Sequence, residues 1–321
     1  MKHNWKVTAI LLSMFVITQV IGLFVTAAYA NPVVIGNETV NLVPFGMEPP
    51  AVEAAPALGS IVFSFVIAIL LIFLLMKFKA AIVLRTWFFI VVILAIGIVL
   101  NIILVSVNPD WGLREINLGI LTPTIAEFVS VIVALPLAFF KVFKREIFTH
   151  NLTELLVYPG IAVVFIPILN VWTAIALLIL ISAYDMYAVW HSGFMQKMAK
   201  YQISHLKFFA GFFVPYMSKG DRVKLQKIKS AKKSKKDKEK ALGKLSVNLA
   251  ILGGGDVVFP IITAGVVMAA GGLAAAISVV VGATLALALL FYYSEKGKFY
   301  PAMPFITGGI LVGLGFAYLV F

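Results

Sequence analysis

Gly253-Gly254-Gly255-Asp256 stands inside an otherwise apolar, helix-length segment, Leu245–Met268. Both parts of that tetrapeptide are costly there. A carboxylate carried into hydrocarbon costs roughly 2.5–3.5 kcal/mol on insertion scales. Each glycine costs about 0.8–1.0 kcal/mol against alanine in a helix. A chain that keeps both in a bilayer uses them, so the reading turns on whether Asp256 has a partner at its own depth.

Composition places the segment in a membrane. The 321-residue chain is 62% hydrophobic and 12% charged, with a mean hydropathy of +1.04. Soluble domains carry about 25% charged residues. There is no cysteine, which excludes disulfides, thiolate metal sites and cysteine nucleophiles. Apolar runs near the ~20 residues that span hydrocarbon as a helix occur nine times. They are Val7–Ala28, Leu58–Leu75, Trp87–Val107, Leu118–Phe140, Leu152–Leu169, Trp172–Trp190, Leu245–Met268, Leu273–Tyr292 and Pro301–Phe321. The sequence therefore predicts an all-α, polytopic membrane protein with nine transmembrane helices. Asn170 predicts a tight antiparallel hairpin between the fifth and sixth spans, and Gly271-Gly272 another between the seventh and eighth. Ala28-Tyr29-Ala30 has the look of a signal-peptidase site. The apolar core before it exceeds the ~7–15 residues of a signal peptide, so the first span is expected to be retained.

Charge placement gives an orientation. With the N-terminus in the cytoplasm, every Lys and Arg except Arg114 falls on the inner side, as the positive-inside rule requires. The expected arrangement in the cell membrane is N-terminus cytoplasmic, C-terminus extracellular. Residues 31–57 carry Glu38, Glu48 and Glu53 without Lys or Arg, and contain the sequon Asn37-Glu38-Thr39. The basic stretch 191–244, with its run from Lys232 to Lys240, reads as a solvated cytoplasmic tether near anionic headgroups. No nucleic-acid partner is expected. Its flank 201–218, with Phe208, Phe209, Phe212 and Phe213, is expected at the membrane interface. The chain then divides into a six-helix unit (1–190), the basic loop (191–244) and a three-helix unit (245–321).

Ionisable groups inside the spans are few. Glu127 enters the fourth span from the outer side, Asp185 lies in the sixth and Asp256 in the seventh. Glu154 sits at the inner start of the fifth, where water is expected to reach it. At ~1.5 Å per residue, Asp185 is about 9 Å and Asp256 about 16 Å from the inner ends of their spans. Both fall in the inner half of the membrane, on antiparallel helices. Two carboxylates close together in low dielectric cannot both ionise easily and share a proton. That is the basis of aspartic-protease chemistry: one member takes a proton from water while the other polarises the scissile carbonyl. Gly253, Gly254 and Gly255 would let a peptide backbone approach closely. At the same inner face the ninth span opens with Pro301-Ala302-Met303-Pro304. Its two prolines remove N–H donors and leave a non-ideal helix start that could receive an extended substrate.

Together these residues resemble the presenilin and signal peptide peptidase family of intramembrane aspartyl proteases, in its single-chain archaeal form. Three motifs carry the resemblance in the family's order: Tyr184-Asp185, the GxGD motif at Gly253–Asp256, and a PAL-type motif at Pro301-Ala302-Met303. The third has Met where Leu is usual. The resemblance implies a catalytic dyad of Asp185 and Asp256. It implies that Tyr184 and the glycines shape the site, and that Pro301, Ala302, Met303 and Pro304 help position substrate. Substrates would be transmembrane helices or signal-peptide remnants, unwound locally, with water arriving from the cytoplasmic side. No metal and no cofactor is implied, and no endoproteolytic maturation is expected in the basic loop.

Alternatives share some of these features. A proton- or cation-coupled carrier also uses paired intramembrane aspartates in Gly- and Pro-interrupted helices, and Pro123, Pro136, Pro159 and Pro167 suit it. The two halves of the chain, however, show no internal repeat. A prepilin-type peptidase fits the GxGD aspartate but has fewer spans. A non-catalytic scaffold leaves the paired carboxylates unexplained. His3, His150, His191 and His205 form no His-Glu-x-x-His, and no Gly-x-Ser-x-Gly occurs.

Overall fold

The computed structural model describes residues 5–30, 33–35, 38–40, 44–46, 54–78, 81–119, 121–144, 146–191, 210–217, 247–294 and 300–320. The chain opens with α1 (Trp5–Ala30), a short hairpin of β1 (Val33–Ile35) and β2 (Glu38–Val40), then α2 (Ala54–Lys77) and α3 (Ala81–Val107). A single turn, α4 (Asp110–Leu113), precedes α5 (Ile125–Phe143), α6 (Ile147–Phe165) and α7 (Val171–Trp190). A second hairpin, β3 (Gly211–Met217) and β4 (Val247–Gly253), leads into α8 (Gly254–Tyr293), and α9 (Met303–Val320) follows. Of the sequon, Glu38 and Thr39 lie in β2 and Asn37 lies outside the described residues. So do Phe208, Phe209 and the basic run from Lys232 to Lys240.

Among the described residues, seven helices are long and apolar enough to cross a membrane. One of them, α8, is 40 residues long and breaks at Gly272, where φ is +80°. Only glycine takes that conformation without steric cost, so the Gly271-Gly272 junction makes two spans of one helix, as expected. With α2 this agrees with the nine spans read from the sequence. Large apolar side chains cover the outside, among them Val312, Phe316 and Leu319 on α9, a surface suited to lipid rather than water. The protein is an integral membrane protein.

Packing is set by small residues and caps. In the second half of α8, Gly282 faces the backbone of Gly309 on α9, and Gly313 faces that of Ser278. A Cβ at any of the three glycines would meet backbone, so this seam is of the small-xxx-small type that lets membrane helices approach closely. Asn170 and Thr173 cap α7 reciprocally: the Asn170 side chain accepts from Thr173 N–H and the Thr173 hydroxyl from Asn170 N–H, both at 2.9 Å. That supplies the tight turn predicted between the fifth and sixth spans.

Four expectations are corrected. The fourth span does not start at Leu118; α5 starts at Ile125, behind a capping box of Thr124 and Glu127. Pro123 and the positive φ of Gly119 suit the loop before it. Glu127 spends its other oxygen on Phe45 N–H at 2.9 Å, so it is a helix cap and loop anchor. Glu154 does not reach water: it is fully buried inside α6, one turn beyond His150. The largest correction concerns the seventh span. Residues 247–253 form a strand, and the helix starts only at Gly254. The glycines disfavour extending the helix backwards, and the segment Gly211–Met217 offers Val247–Gly253 a partner strand. Phe212, expected at the interface, is fully buried in that hairpin.

Candidate active site

Asp256 occupies the first turn of α8, not its interior. Gly253 is the N-cap, and Asp256 is the third helical residue. From there its carboxylate reaches back to hydrogen-bond the backbone of Gly253. This is the acidic half of a capping box, at the helix end where the dipole favours negative charge. The contact is close: a Cβ at Gly253 would lie 3.1 Å from Asp256 Oδ2, so the carboxylate would have to shift to make room. Gly254 is more tightly constrained, since its Cβ would come within 2.9 Å of the buried Tyr158 ring and force it to move. Gly255 is exposed and would meet only Phe259, at 3.8 Å.

Asp185 sits on the last two turns of α7 and is 4% exposed. One carboxylate oxygen accepts the Met303 N–H at 3.1 Å, and the backbone of Ala302 also bonds this carboxylate. Met303 is the first residue of α9. Asp185 therefore caps α9, satisfying N–H groups that a helix start leaves without partners. One turn away, Ser182 and Thr307 join their hydroxyls at 2.8 Å between the same two helices. The Pro301–Pro304 segment thus brings its two intervening backbone amides to Asp185. Pro301 and Met303 are buried, while Ala302 and Pro304 are partly so. Tyr184 is half-buried beside Asp185.

The two carboxylates are electrostatic neighbours. The structure thus brings Asp185, Asp256, Gly253, Ala302 and Met303 to one place. A fully buried Gln19 on α1 holds the turn that carries Asp256, its side-chain amide donating to the Val257 C=O at 3.0 Å.

The hairpin before Asp256 adds a feature the sequence reading missed. Gly254 N–H donates to Ala210 C=O at 3.1 Å, which sets the phase of the antiparallel ladder. Pairs 212/252, 214/250 and 216/248 then exchange hydrogen bonds, and the groups of Gly211, Phe213, Leu249 and Ile251 point outward. On the β3 side, α6 side chains bond Gly211 and Phe213. On the β4 side, Leu249 and Ile251 are exposed and meet no partner among the described residues. The strand shows in the burial pattern and not in the apolar sequence of Val247–Gly253. Gly211–Met217 and Val247–Gly253 bury alternate residues, with Phe212, Val214, Ala250 and Leu252 inside, the period of two that marks a strand.

A family model described as signal-peptide peptidase, presenilin aspartyl protease matches residues 12–321. The chain belongs to that family. Like the family, it is an intramembrane aspartyl protease, and the carrier alternative finds no support. Two solved structures described as a presenilin family intramembrane aspartate protease share the fold of this family member. The C222 crystal form is 18% identical with a TM-score of 0.56, covering 98% of this chain and 99% of that one. The P2 form is 17% identical with a TM-score of 0.57, covering 97% of each chain. No curated protein matches the chain.

Proposed function

We propose that Asp185 and Asp256 are the catalytic dyad of this protease and that the substrate is a transmembrane helix unwound next to β4. The observation that carries the reading is the meeting of two helix-capping carboxylates among otherwise apolar spans. In the reaction the pair holds one proton. The ionised carboxylate takes a proton from water as the water oxygen attacks the scissile carbonyl carbon. The protonated carboxyl polarises the carbonyl oxygen. The C–N bond then breaks, and the departing nitrogen takes a proton from the dyad.

Substrate placement follows from the outward face of β4. The exposed edge at Leu249 and Ile251 offers N–H and C=O groups to an extended peptide, which would add as a third strand. That strand would run straight toward Asp256. Unpaired backbone is tolerated at membrane depth only where protein or a water-filled cavity receives it, and this edge is such a receiver. Tyr184 and Pro301–Pro304 line the Asp185 side. The chain divides at the basic loop into units 1–190 and 245–321, each contributing one aspartate. The charge distribution supports a cytoplasmic N-terminus and an extracellular C-terminus in the cell membrane.

The test is cleavage of a transmembrane peptide by the reconstituted full chain. Wild type cleaves it, and Asp185→Ala and Asp256→Ala do not. Equal cleavage by either variant overturns the dyad. Ion flux that depends on the same residues would return the carrier reading.

A further inference from the structure

The inner end of α5 and the first turns of α6 hold a buried charged cluster that the dyad does not use. Lys141 Nζ lies 2.7 Å from Glu154 Oε1, with the two side chains 0% and 1% exposed. His150 Nε2 lies 3.4 Å from the same oxygen and donates to Gly211 C=O at 2.9 Å. Gly211 N–H donates to Glu154 Oε1 at 3.4 Å. Asn151 completes the set, donating to Phe213 C=O at 2.7 Å and accepting Phe213 N–H at 2.9 Å. The outward backbone groups of β3 at Gly211 and Phe213 are thus held by side chains of a single helix.

A buried ion pair is a poor way to gain stability. Two charges must be desolvated, and a well-packed apolar pair of similar volume is often as stable or more so. Its value here lies in where it points. Gly211 is the register partner of Gly253, and the backbone of Gly253 bonds the Asp256 carboxylate. One residue on, Gly254 is tied to Ala210 and packs on Tyr158, one turn after Glu154 in α6. Two routes therefore run from Glu154 to the backbone that carries Asp256, one through the hairpin and one along α6.

We propose that Glu154, neutralised by Lys141 and assisted by His150 and Asn151, is a positioning residue that sets Asp256 by fixing Gly211, which faces Gly253 between the hydrogen-bonded pairs 210/254 and 212/252 of the hairpin. The proposal rests on Asp256 being catalytic. It assigns the clasp to the placement of the carboxylate and of β4, not to contact with substrate.

The test compares two neutral double variants of the full chain in liposomes. Both Lys141→Met/Glu154→Gln and Lys141→Met/Glu154→Leu remove the charges. Only the first keeps an acceptor for Gly211 N–H. The first is expected to cleave a transmembrane peptide within about threefold of wild type. The second is expected to lose about tenfold or more in kcat with KM within twofold, since placement is lost and not substrate binding. Amide hydrogen exchange over residues 247–257 is expected to rise about tenfold in the second and to stay unchanged in the first. Equal kcat and equal exchange in the two variants overturn the proposal. So does a loss that falls on KM alone. If the Leu variant does not fold, Asn151→Ala serves, with the same split of kcat from KM expected and an unchanged kcat overturning. The exchange measurement needs no activity. A failed dyad would therefore show as Asp256→Ala cleaving like wild type, and a failed clasp as unaltered exchange.

Discussion

The two aspartates do the same structural job in opposite ways. Asp256 caps its own helix, reaching back three residues to Gly253. Asp185 caps a different helix, α9, from the last two turns of α7. The first arrangement is local and survives any movement of the neighbouring helices. The second exists only while α7 and α9 stay docked, and Ser182 and Thr307 secure that docking one turn away. Helix starts are where unpaired N–H groups and the positive end of the dipole coincide. Placing each carboxylate there keeps it oriented without a cation, and leaves room for the two to share a proton.

The contrast can be broken at several points. Removing either carboxylate is the severest change. Asp185→Ala and Asp256→Ala are each expected to lower peptide cleavage by about three orders of magnitude or more, and losing both should cost little beyond losing one. Next comes the cis side. Gly254→Val presses a side chain into Tyr158 and is expected to cost about tenfold in kcat; adding Tyr158→Ala should recover part of it, while simple additivity would show that the two do not touch. Gly255→Ala, one residue along and exposed, should stay within about twofold of wild type in the same assay. On the trans side, Ser182→Ala strands the Thr307 hydroxyl and is expected to cost about 1–3 kcal/mol of stability, with Ser182→Ala/Thr307→Val closer to neutral by thermal unfolding. Met303→Leu should change least, within about twofold in activity, because the amide that serves Asp185 is retained and the side-chain volume is nearly so.

The membrane class, the spans, the hairpin at Asn170 and the break at Gly272 were legible because each follows from a local pattern: apolar length, a capping residue, a glycine pair. Asp185 and Asp256 were legible because charge in hydrocarbon is conspicuous. What escaped reading depends on partners distant in sequence. Val247–Gly253 is apolar enough to pass for helix, and only its pairing with Gly211–Met217 makes it a strand. Glu154 has the sequence position of an interfacial residue, and only Lys141, from the preceding helix, makes its burial possible. The ninth span was read for the donors its prolines lack, whereas the structure uses the two amides lying between them. Gln19 gave no signal of its own, since an isolated amide in a first span is uninformative until the carbonyl it meets is known.

Pro260 follows Asp256 by four residues within α8. The main-chain oxygen of Asp256 therefore lacks its ordinary helical donor. The opening turn of α8 thus has one helical hydrogen bond fewer to the rod behind it, and it is held laterally by Gln19 at Val257 and by the hairpin at Gly254. A carboxylate mounted on such a turn would need less of the helix to bend for a change in its distance from Asp185. On the proposed substrate placement, a peptide strand arriving at the hairpin's outer edge would act on this turn first, ahead of the membrane-spanning rod behind it.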